Sequence, residues 1–159
     1  MNADPEVMEY FPKALTRAET ASMIERFKAR YLADGFCFWA VEEKETANFI
    51  GFTGLGRPTF EACFMPCVEI GWRLARPFWG KGYAPEAAVA SLRDGFENHH
   101  LEEIVAFTAA CNSKSIRVME KISMRRNASD DFMHPNVEDG HYLKPHVLYR
   151  MTREDWQRM

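Results

Sequence analysis

A strand, a glycine-rich loop, a helix and a second strand follow one another between residues 67 and 111. Apolar residues alternate with others along positions 67–74, which is the two-residue period of a strand with one buried face. The helix after the loop has Pro85 in its first turn and continues to about Asn98. Residues 104–111 are a short apolar run, typical of a buried strand. A β–helix–β unit therefore lies at the centre of the chain, and the sequence predicts an α/β fold.

Other elements surround this unit. Thr16 followed by Glu19 is a capping box, and it predicts the start of a helix that stops before Gly35. Asn112 is the natural N-cap of a shorter helix. We interpret residues 1–159 as one domain. The predicted order is a helix over 16–32, strands over 36–41, 49–55 and 67–74, a helix to 98, a strand over 104–111, a helix over 113–122, a strand over 124–128 and a closing strand over 146–151, with loops over 57–66 and 129–144.

Composition excludes several classes of protein. The net charge of −3 gives no support for charge-driven binding of nucleic acid, so no nucleic-acid partner is expected. The four cysteines are too scattered for a disulfide framework, and no further ligand pair completes a zinc site, so no metal is expected. No run approaches the roughly 18 apolar residues that span a bilayer, and the N-terminus has no signal core. We expect a cytoplasmic protein that does not contact a membrane.

The loop before the central helix carries the most chemical information. Its small residues Gly80, Gly82 and Ala84 let the backbone approach a ligand, and their N–H groups would join the unpaired amides of the helix start. These donors favour an anionic oxygen, with added charge from Lys81 and Arg76. The alternative is a tight turn without a ligand. The segment is neither a nucleoside-triphosphate loop nor a dinucleotide-binding loop, because it lacks their residue patterns.

The run Trp79-Gly80-Lys81-Gly82-Tyr83-Ala84-Pro85-Glu86-Ala87 resembles the acetyl-CoA pyrophosphate loop of the GNAT superfamily. Gly82 and Ala84 match the end of its Q/R-x-x-G-x-G/A pattern, with Trp79 in the first place as in the RimJ and RimL branch of ribosomal-protein N-terminal acetyltransferases. Three further segments, in the same order as in the family, are Val68-Glu69-Ile70-Gly71-Trp72, the helix start Asn112-Ser113-Lys114-Ser115 and the closing strand His146-Val147-Leu148-Tyr149-Arg150. The resemblance covers about residues 1–156.

The resemblance implies a mixed central sheet with a splayed pair of strands and flanking helices. Relatives begin with a further strand, which is missing here, so Met1 looks like an internal position and we expect instability or cover from a partner chain. Met119 replaces a tyrosine that is often catalytic, and Ser123-Met124 replaces the usual Gly-Phe or Gly-Met.

The implied reaction is direct attack of a primary amine on the thioester of acetyl-CoA. Deprotonating an α-amine of pKa ~8 at pH 7 costs ~1.4 kcal/mol, whereas a lysine amine of pKa ~10.4 would cost ~4.6 kcal/mol. Glu69 is the candidate base, since alternation places it opposite the apolar face of its strand. The alternative is a solvated Glu69, or one that is salt-bridged to Arg73.

Ser115 is the candidate proton donor to the CoA sulfur, although it could merely help to cap the helix. A backbone amide near Ile70 to Trp72 would polarise the thioester carbonyl. The residues expected to bind the cofactor are Ile70, Trp72, Arg76, Trp79, Gly80, Lys81, Gly82, Tyr83, Ala84, Asn112 and Ser115. Weaker candidates are Tyr149, which is typical of a core position, and His134, in a loop that could border the acceptor site; Phe38 and Trp39 are expected in the core.

Several functions stay open at this stage. The acceptor is a protein N-terminus, a polyamine, a sugar amine or an amino-acid-like antibiotic, and the branch favours N-terminal α-amines. The alternative to an enzyme is a non-catalytic acyl-CoA-binding sensor on the same fold, which the loss of the tyrosine would fit. The protein is expected as a monomer or a homodimer.

Overall fold

Seven strands and four α-helices make up the fold in a computed structural model that describes residues 1–159. In chain order they are α1 Arg17–Asp34, β1 Phe38–Glu42, β2 Phe49–Gly56, β3 Glu69–Leu74, α2 Tyr83–Arg93, β4 Glu103–Ala109, α3 Ser113–Lys121, β5 Arg125–Arg126, β6 Phe132–Met133, β7 Pro145–Thr152 and α4 Arg153–Gln157. The sheet order is β1-β2-β3-β4-β7-β5, and β6 also pairs with β7. All pairs are antiparallel except β3 and β4. The prediction of an α/β fold is confirmed.

The central β–helix–β unit lies where the sequence predicts it. After β3, a 3-10 turn at Arg76–Phe78 leads into the glycine loop and α2, and the chain returns in β4 parallel to β3. A π-helical turn at Asp94–Asn98 extends α2 to its predicted end. Both strands of the parallel pair are thus followed by a helix, so the starts of α2 and α3 lie at the same edge of the sheet.

The main core lies between one face of the sheet and helices α2 and α3. The alternation read in the sequence holds, because Val68, Ile70 and Leu74 are all buried and point to this face. The helices contribute Ala88, Leu92, Phe96, Met119 and Ile122, and β4 and β7 contribute Ile104, Ala106, Val147, Tyr149 and Met151. Tyr149 is a core residue, as predicted, with its hydroxyl 3.5 Å from the carboxylate of Glu120.

The opposite face of the sheet is covered by α1 and the N-terminal segment, residues 1–15. The capping box of α1 is confirmed, with Thr16 and Glu19 each accepting the other's backbone N–H, and Gly35 ends the helix in a left-handed conformation. In α1, Met23 is buried and Phe27 packs on Phe38 and Phe52. This face is therefore less completely closed than the main core.

Three local predictions need correction, and one helix is unpredicted. Trp39 is exposed at the edge strand β1 and is not a core residue. The strand expected over 124–128 is reduced to β5, and β6 lies inside the expected loop 129–144, because both short strands depend on pairing with β7 rather than on local pattern. Helix α4 was not predicted. No strand precedes α1, in agreement with the expectation.

None of the helices combines the length and apolarity that a membrane span requires.

Candidate active site

Strands β3 and β4 are joined at one end and separate towards the other. Their only register pair is Glu69 with Val105, where the Val105 N–H donates to the Val68 carbonyl at 2.9 Å. On the other edge of β3, the Ala75 N–H donates to the Ile50 carbonyl. The backbone N–H and C=O groups of odd-numbered residues in β3 therefore point towards β2, and those of even-numbered residues point towards β4. Beyond the pair of Glu69 and Val105, the N–H and C=O of Trp72 therefore point into the gap between the separating strands β3 and β4, where no strand pairs with them. The splay expected from the resemblance is present.

Two helices begin at the open end of this gap. Gly80 and Gly82 have φ angles of +75° and +88°, in the left-handed region that a residue with a side chain rarely adopts. No side chain caps α2, and the space in front of both glycines is open, with no atom within 4 Å of an added Cβ. Because Pro85 has no N–H, the free donors of this turn are those of Tyr83 and Ala84. The arrangement fits an anionic group at the helix start.

Trp79 holds the loop in place. Its indole N–H donates to the Leu74 carbonyl at 2.8 Å, so this donor is not free for a ligand. The Arg76 guanidinium lies 5.1 Å from the ring centroid of Trp79, and the Lys114 ammonium lies 4.6 Å from it. Trp79 thus joins the glycine loop to the first turn of α3 and gathers two cations beside the gap.

The side chains of Lys81 and Tyr83 point elsewhere. The Lys81 ammonium lies 5.4 Å from the ring of Phe78, at an exposed position. The Tyr83 hydroxyl donates to Glu43 of the turn after β1 at 2.6 Å, so only the backbone of Tyr83 is available at the helix start. Of these two residues, only Lys81 could bring a side-chain charge to a bound anion.

Acidic residues of the N-terminal segment contact the gathered cations. The Glu6 carboxylate lies 2.5 Å from Nε of Arg76, and the Glu9 carboxylate lies 3.4 Å from Nζ of Lys114. All four side chains are about half exposed. These contacts were not predicted, because they join residues 70 and 105 positions apart and have no local signal in the sequence.

At the start of α3, Asn112 caps the helix and the hydroxyl of Ser115 is free. Oδ1 of Asn112 accepts the Ser115 N–H at 3.2 Å, and Nδ2 of Asn112 donates to the Thr108 hydroxyl at 2.9 Å. Asn112 is therefore the cap, as predicted. The Ser115 hydroxyl makes no hydrogen bond and is partly exposed. Met119, in the place of the family's tyrosine, is buried in the main core.

Glu69 lies at the point where β3 and β4 separate, on the face opposite the main core. Its carboxylate makes no hydrogen bond and no ion pair, and loss of solvent around it raises its pKa from 4.5 to about 7. Oε1 lies 3.6 Å from where Gly56 would carry a Cβ, beside the ring of Phe38. Phe38 therefore borders Glu69 rather than the main core.

Arg73 does not pair with Glu69. Its guanidinium donates to Oδ1 of Asn2 at 3.0 Å and lies 4.0 Å from the ring of Phe11. The expected alternative, a salt bridge between Glu69 and Arg73, is wrong. Glu69 is left as an unpaired carboxyl group whose pKa suits proton transfer near neutral pH.

The sequence profile described as Acetyltransferase (GNAT) domain matches residues 1–125. The chain belongs to the GNAT acetyltransferases. It is a GNAT-family N-acetyltransferase, and enzymes of this family use acetyl-CoA. No three His, Cys, Asp or Glu side chains of this enzyme lie together as metal ligands would.

One curated relative of this acetyltransferase is the [ribosomal protein uS5]-alanine N-acetyltransferase of Escherichia coli, 26% identical over 135 residues, which are 84% of this chain and 65% of the relative. An acetyltransferase of the GNAT family from Bacillus anthracis has a TM-score of 0.77 and 28% identity, over 96% of this chain and 85% of the other. The spermidine N-acetyltransferase of Vibrio cholerae, in complex with CoA and spermine, has a TM-score of 0.74 and 17% identity over 98% and 88%, and it shows a shared fold alone.

Sequence reasoning missed an aromatic cluster on the Glu69 face of this acetyltransferase. The predicted candidate His134 is one member, and the others come from the loop after β2, from β4, from β6 and from β7. One signal was available in β7, where His146, Leu148 and Arg150 alternate with the core residues of that strand. The members of the cluster are Phe60, Phe64, Phe107, Phe132, His134 and His146.

Proposed function

We propose that this chain transfers the acetyl group of acetyl-CoA to a primary α-amine, with Glu69 as the general base. The observation that carries this proposal is the unpaired Glu69 carboxylate, at the point where the two parallel strands separate. The gap beyond it offers free backbone donors, and its open end carries a helix start without a side-chain cap. These features suit the thioester and the diphosphate of one extended cofactor.

Residues of the chain divide the chemistry between them. Bound acetyl-CoA supplies the thioester carbonyl that the amine attacks. Glu69 takes the proton from the incoming ammonium group, and its pKa of about 7 leaves a useful fraction ionised at neutral pH. The Trp72 N–H hydrogen-bonds to the carbonyl oxygen as negative charge develops there. Ser115 donates its proton towards the sulfur as the carbon–sulfur bond breaks.

The remaining loop residues bind the nucleotide end of the cofactor. The small residues Gly80, Gly82 and Ala84 let the diphosphate approach the backbone, and the space in front of both glycines is open. The backbone N–H of Tyr83 donates to the same diphosphate. Arg76 and Lys81 add positive charge, and Ile70 lines the start of the gap through its backbone. Trp79 and Asn112 position these groups, since the donor groups of their side chains are already bonded within the protein.

An α-amine suits this base better than a lysine amine. The pKa of an α-amine, ~8, differs little from that of Glu69, about 7. Each pKa unit of difference adds about 1.4 kcal/mol to the cost of proton transfer, so this cost is small for an α-amine. A lysine of pKa ~10.4 would need a further ~3 kcal/mol. The relative that acts on a ribosomal-protein alanine gives independent support for an α-amine.

The test is release of thiol from acetyl-CoA with Glu69→Gln against the wild-type chain, using a panel of α-amines between pH 6 and 9. The variant should lose about 10²- to 10⁴-fold in kcat, with the dissociation constant for CoA unchanged. Glu45→Gln, at an exposed turn, is the matched control. Binding of CoA without turnover on any amine would favour the non-catalytic sensor instead, and absence of CoA binding would refute both functions.

A further inference from the structure

We propose that the amine acceptor carries an apolar, flat group beside its amine, and that the aromatic cluster binds this group. The inference rests on the proposed function, since it concerns the acceptor of the same reaction. It selects an aromatic monoamine over a polyamine.

Four separate segments of the chain bring the six rings together. Phe60 lies 5.5 Å from Phe107 between ring centroids, Phe64 lies 4.9 Å from Phe132, and His134 lies 4.8 Å from His146. All six side chains are partly exposed, and none is buried. A cluster that served only as packing would close over its own rings, so six partly exposed aromatic side chains on one face of the sheet favour a ligand.

The aromatic cluster lies next to the candidate base Glu69, and Phe107 is its nearest member along the sheet. Phe107 follows Val105 by two positions on β4, and Val105 is the register partner of Glu69. Side chains two apart on a strand share a face, so Phe107 points to the same side of the sheet as Glu69. It stands where β3 and β4 have separated, next to the unpaired part of the gap. An amine held at Glu69 would therefore carry its substituent onto the aromatic rings.

The charges beside the cluster are already neutralised. Arg150 pairs with Glu103 and Asp130, and Lys144 pairs with Asp139. Burial lowers the pKa of both cluster histidines, that of His134 to about 4, so the rings are neutral at pH 7.

A polyamine needs further carboxylates for its other ammonium groups. Glu61 lies next to the cluster in sequence, but it is exposed to solvent, where an ion pair contributes little. Glu69 itself is assigned to the reacting amine. The cluster therefore offers apolar contact and no unpaired, buried carboxylate for a second ammonium group.

The experiment compares three amines on the wild-type chain by thiol release: phenylalanine amide, alanine amide and spermidine. The first two have the same α-amine and differ in the ring. We expect kcat/KM for phenylalanine amide to exceed that for alanine amide by at least about tenfold, the scale of apolar discrimination in a pocket. Spermidine should be the poorest of the three.

Phe60→Leu and Phe132→Leu then test the rings while keeping apolar volume. Both variants should raise KM for phenylalanine amide by a larger factor than KM for alanine amide, so that the preference between the two amines falls. Phe49→Leu, at an exposed position on β2, is the matched control and should change neither. Thermal unfolding monitors the fold, and if a variant does not fold, the wild-type comparison decides.

Equal efficiency with phenylalanine amide and alanine amide would overturn the inference and leave the proposed function intact. A preference for spermidine would overturn the inference and the assignment of an α-amine acceptor, but it would leave acetyl transfer from acetyl-CoA intact. No turnover with any amine while CoA still binds would overturn the proposed function and the inference together.

Discussion

At the scale of single residues, Glu69 shows how one strand serves two purposes. Its neighbours Val68 and Ile70 fill the main core, whereas Glu69 points to the other face, where no partner meets it. The alternation in the sequence predicts which face it occupies. The sequence does not predict the raised pKa of Glu69, because the burial of its carboxylate and the hydrogen bond of Arg73 to Asn2 are both set by tertiary packing.

The pKa of Glu69 makes stability depend on pH in a defined direction. The folded chain holds the proton up to about pH 7 and the unfolded chain only to about 4.5, so the folded state binds more protons in between. The contribution of Glu69 to the free energy of unfolding should thus fall as pH rises through this window. Glu69→Gln should gain in stability relative to the wild-type chain from pH 4.5 to 7, measured by urea denaturation. Glu45→Gln should show no such trend, and a pH-independent difference for Glu69→Gln would contradict the assigned pKa.

Ser115 offers a second prediction at this scale. Because its hydroxyl has no partner and Asn112 already caps α3, Ser115→Ala should leave thermal stability unchanged. It should lower kcat by no more than about 10²-fold, because a thiol of pKa ~8.5 is already a fair leaving group. Ser113→Ala, exposed in the same turn, is the control. A drop in stability with full activity would assign Ser115 to the helix rather than to the chemistry.

At the scale of elements, the start of α2 is the part that sequence reasoning predicted best. The glycines, Pro85 and the following apolar stripe are local signals, and each describes a local structure. The aromatic cluster is the opposite case. Its members lie on four separate segments, and the sequence predicts a loop at β6 because a strand of two residues has no periodicity of its own.

Gly82→Ala should separate the binding role of this loop from its conformation. A residue with a side chain at φ +88° is strained by roughly 1–2 kcal/mol, and its methyl group would enter the open space before the helix. We expect the dissociation constant for acetyl-CoA to rise at least about tenfold, which is ~1.4 kcal/mol. Calorimetric titration measures it.

Gly140→Ala supplies the matched control for that change. Gly140 has a φ of +79° in an open surface turn, so the strain is comparable, but the site is outside the glycine loop. The stability of the Gly140→Ala variant should fall by a similar amount, and its dissociation constant for acetyl-CoA should stay unchanged. If both variants weakened CoA binding equally, global destabilisation would be the cause and the anion site would be refuted.

At the scale of the whole molecule, the N-terminal segment closes the face that the sheet leaves open. Asn2 is buried against Arg73 and Thr20, and Glu6 and Glu9 reach the cations beside the glycine loop. Nothing in residues 1–15 predicts this position, since the segment has neither helical nor strand periodicity.

The carboxylates of this segment should compete with the cofactor for Arg76 and Lys114. The double variant Glu6→Gln with Glu9→Gln should bind acetyl-CoA roughly two- to fivefold more tightly at low salt, the range of an exposed ion pair. The gain should vanish in 0.5 M salt, about the concentration at which exposed charges are screened within a few ångströms. Glu25→Gln, which breaks an exposed pair with Lys28 on α1, is the control. Weaker binding by the double variant would mean that the segment supports the cofactor site.

The contacts of the N-terminal segment also constrain the order in which the chain can fold. Glu9 meets Lys114, 105 positions away, and its carbonyl accepts from the hydroxyl of Tyr142, 133 positions away. During synthesis residues 1–15 leave the ribosome long before these partners exist. Loop closure over such separations is slow, so the segment should dock among the last steps of folding. Until then the Arg73 guanidinium, which packs on Phe52 of the neighbouring strand, lacks its contact with the ring of Phe11.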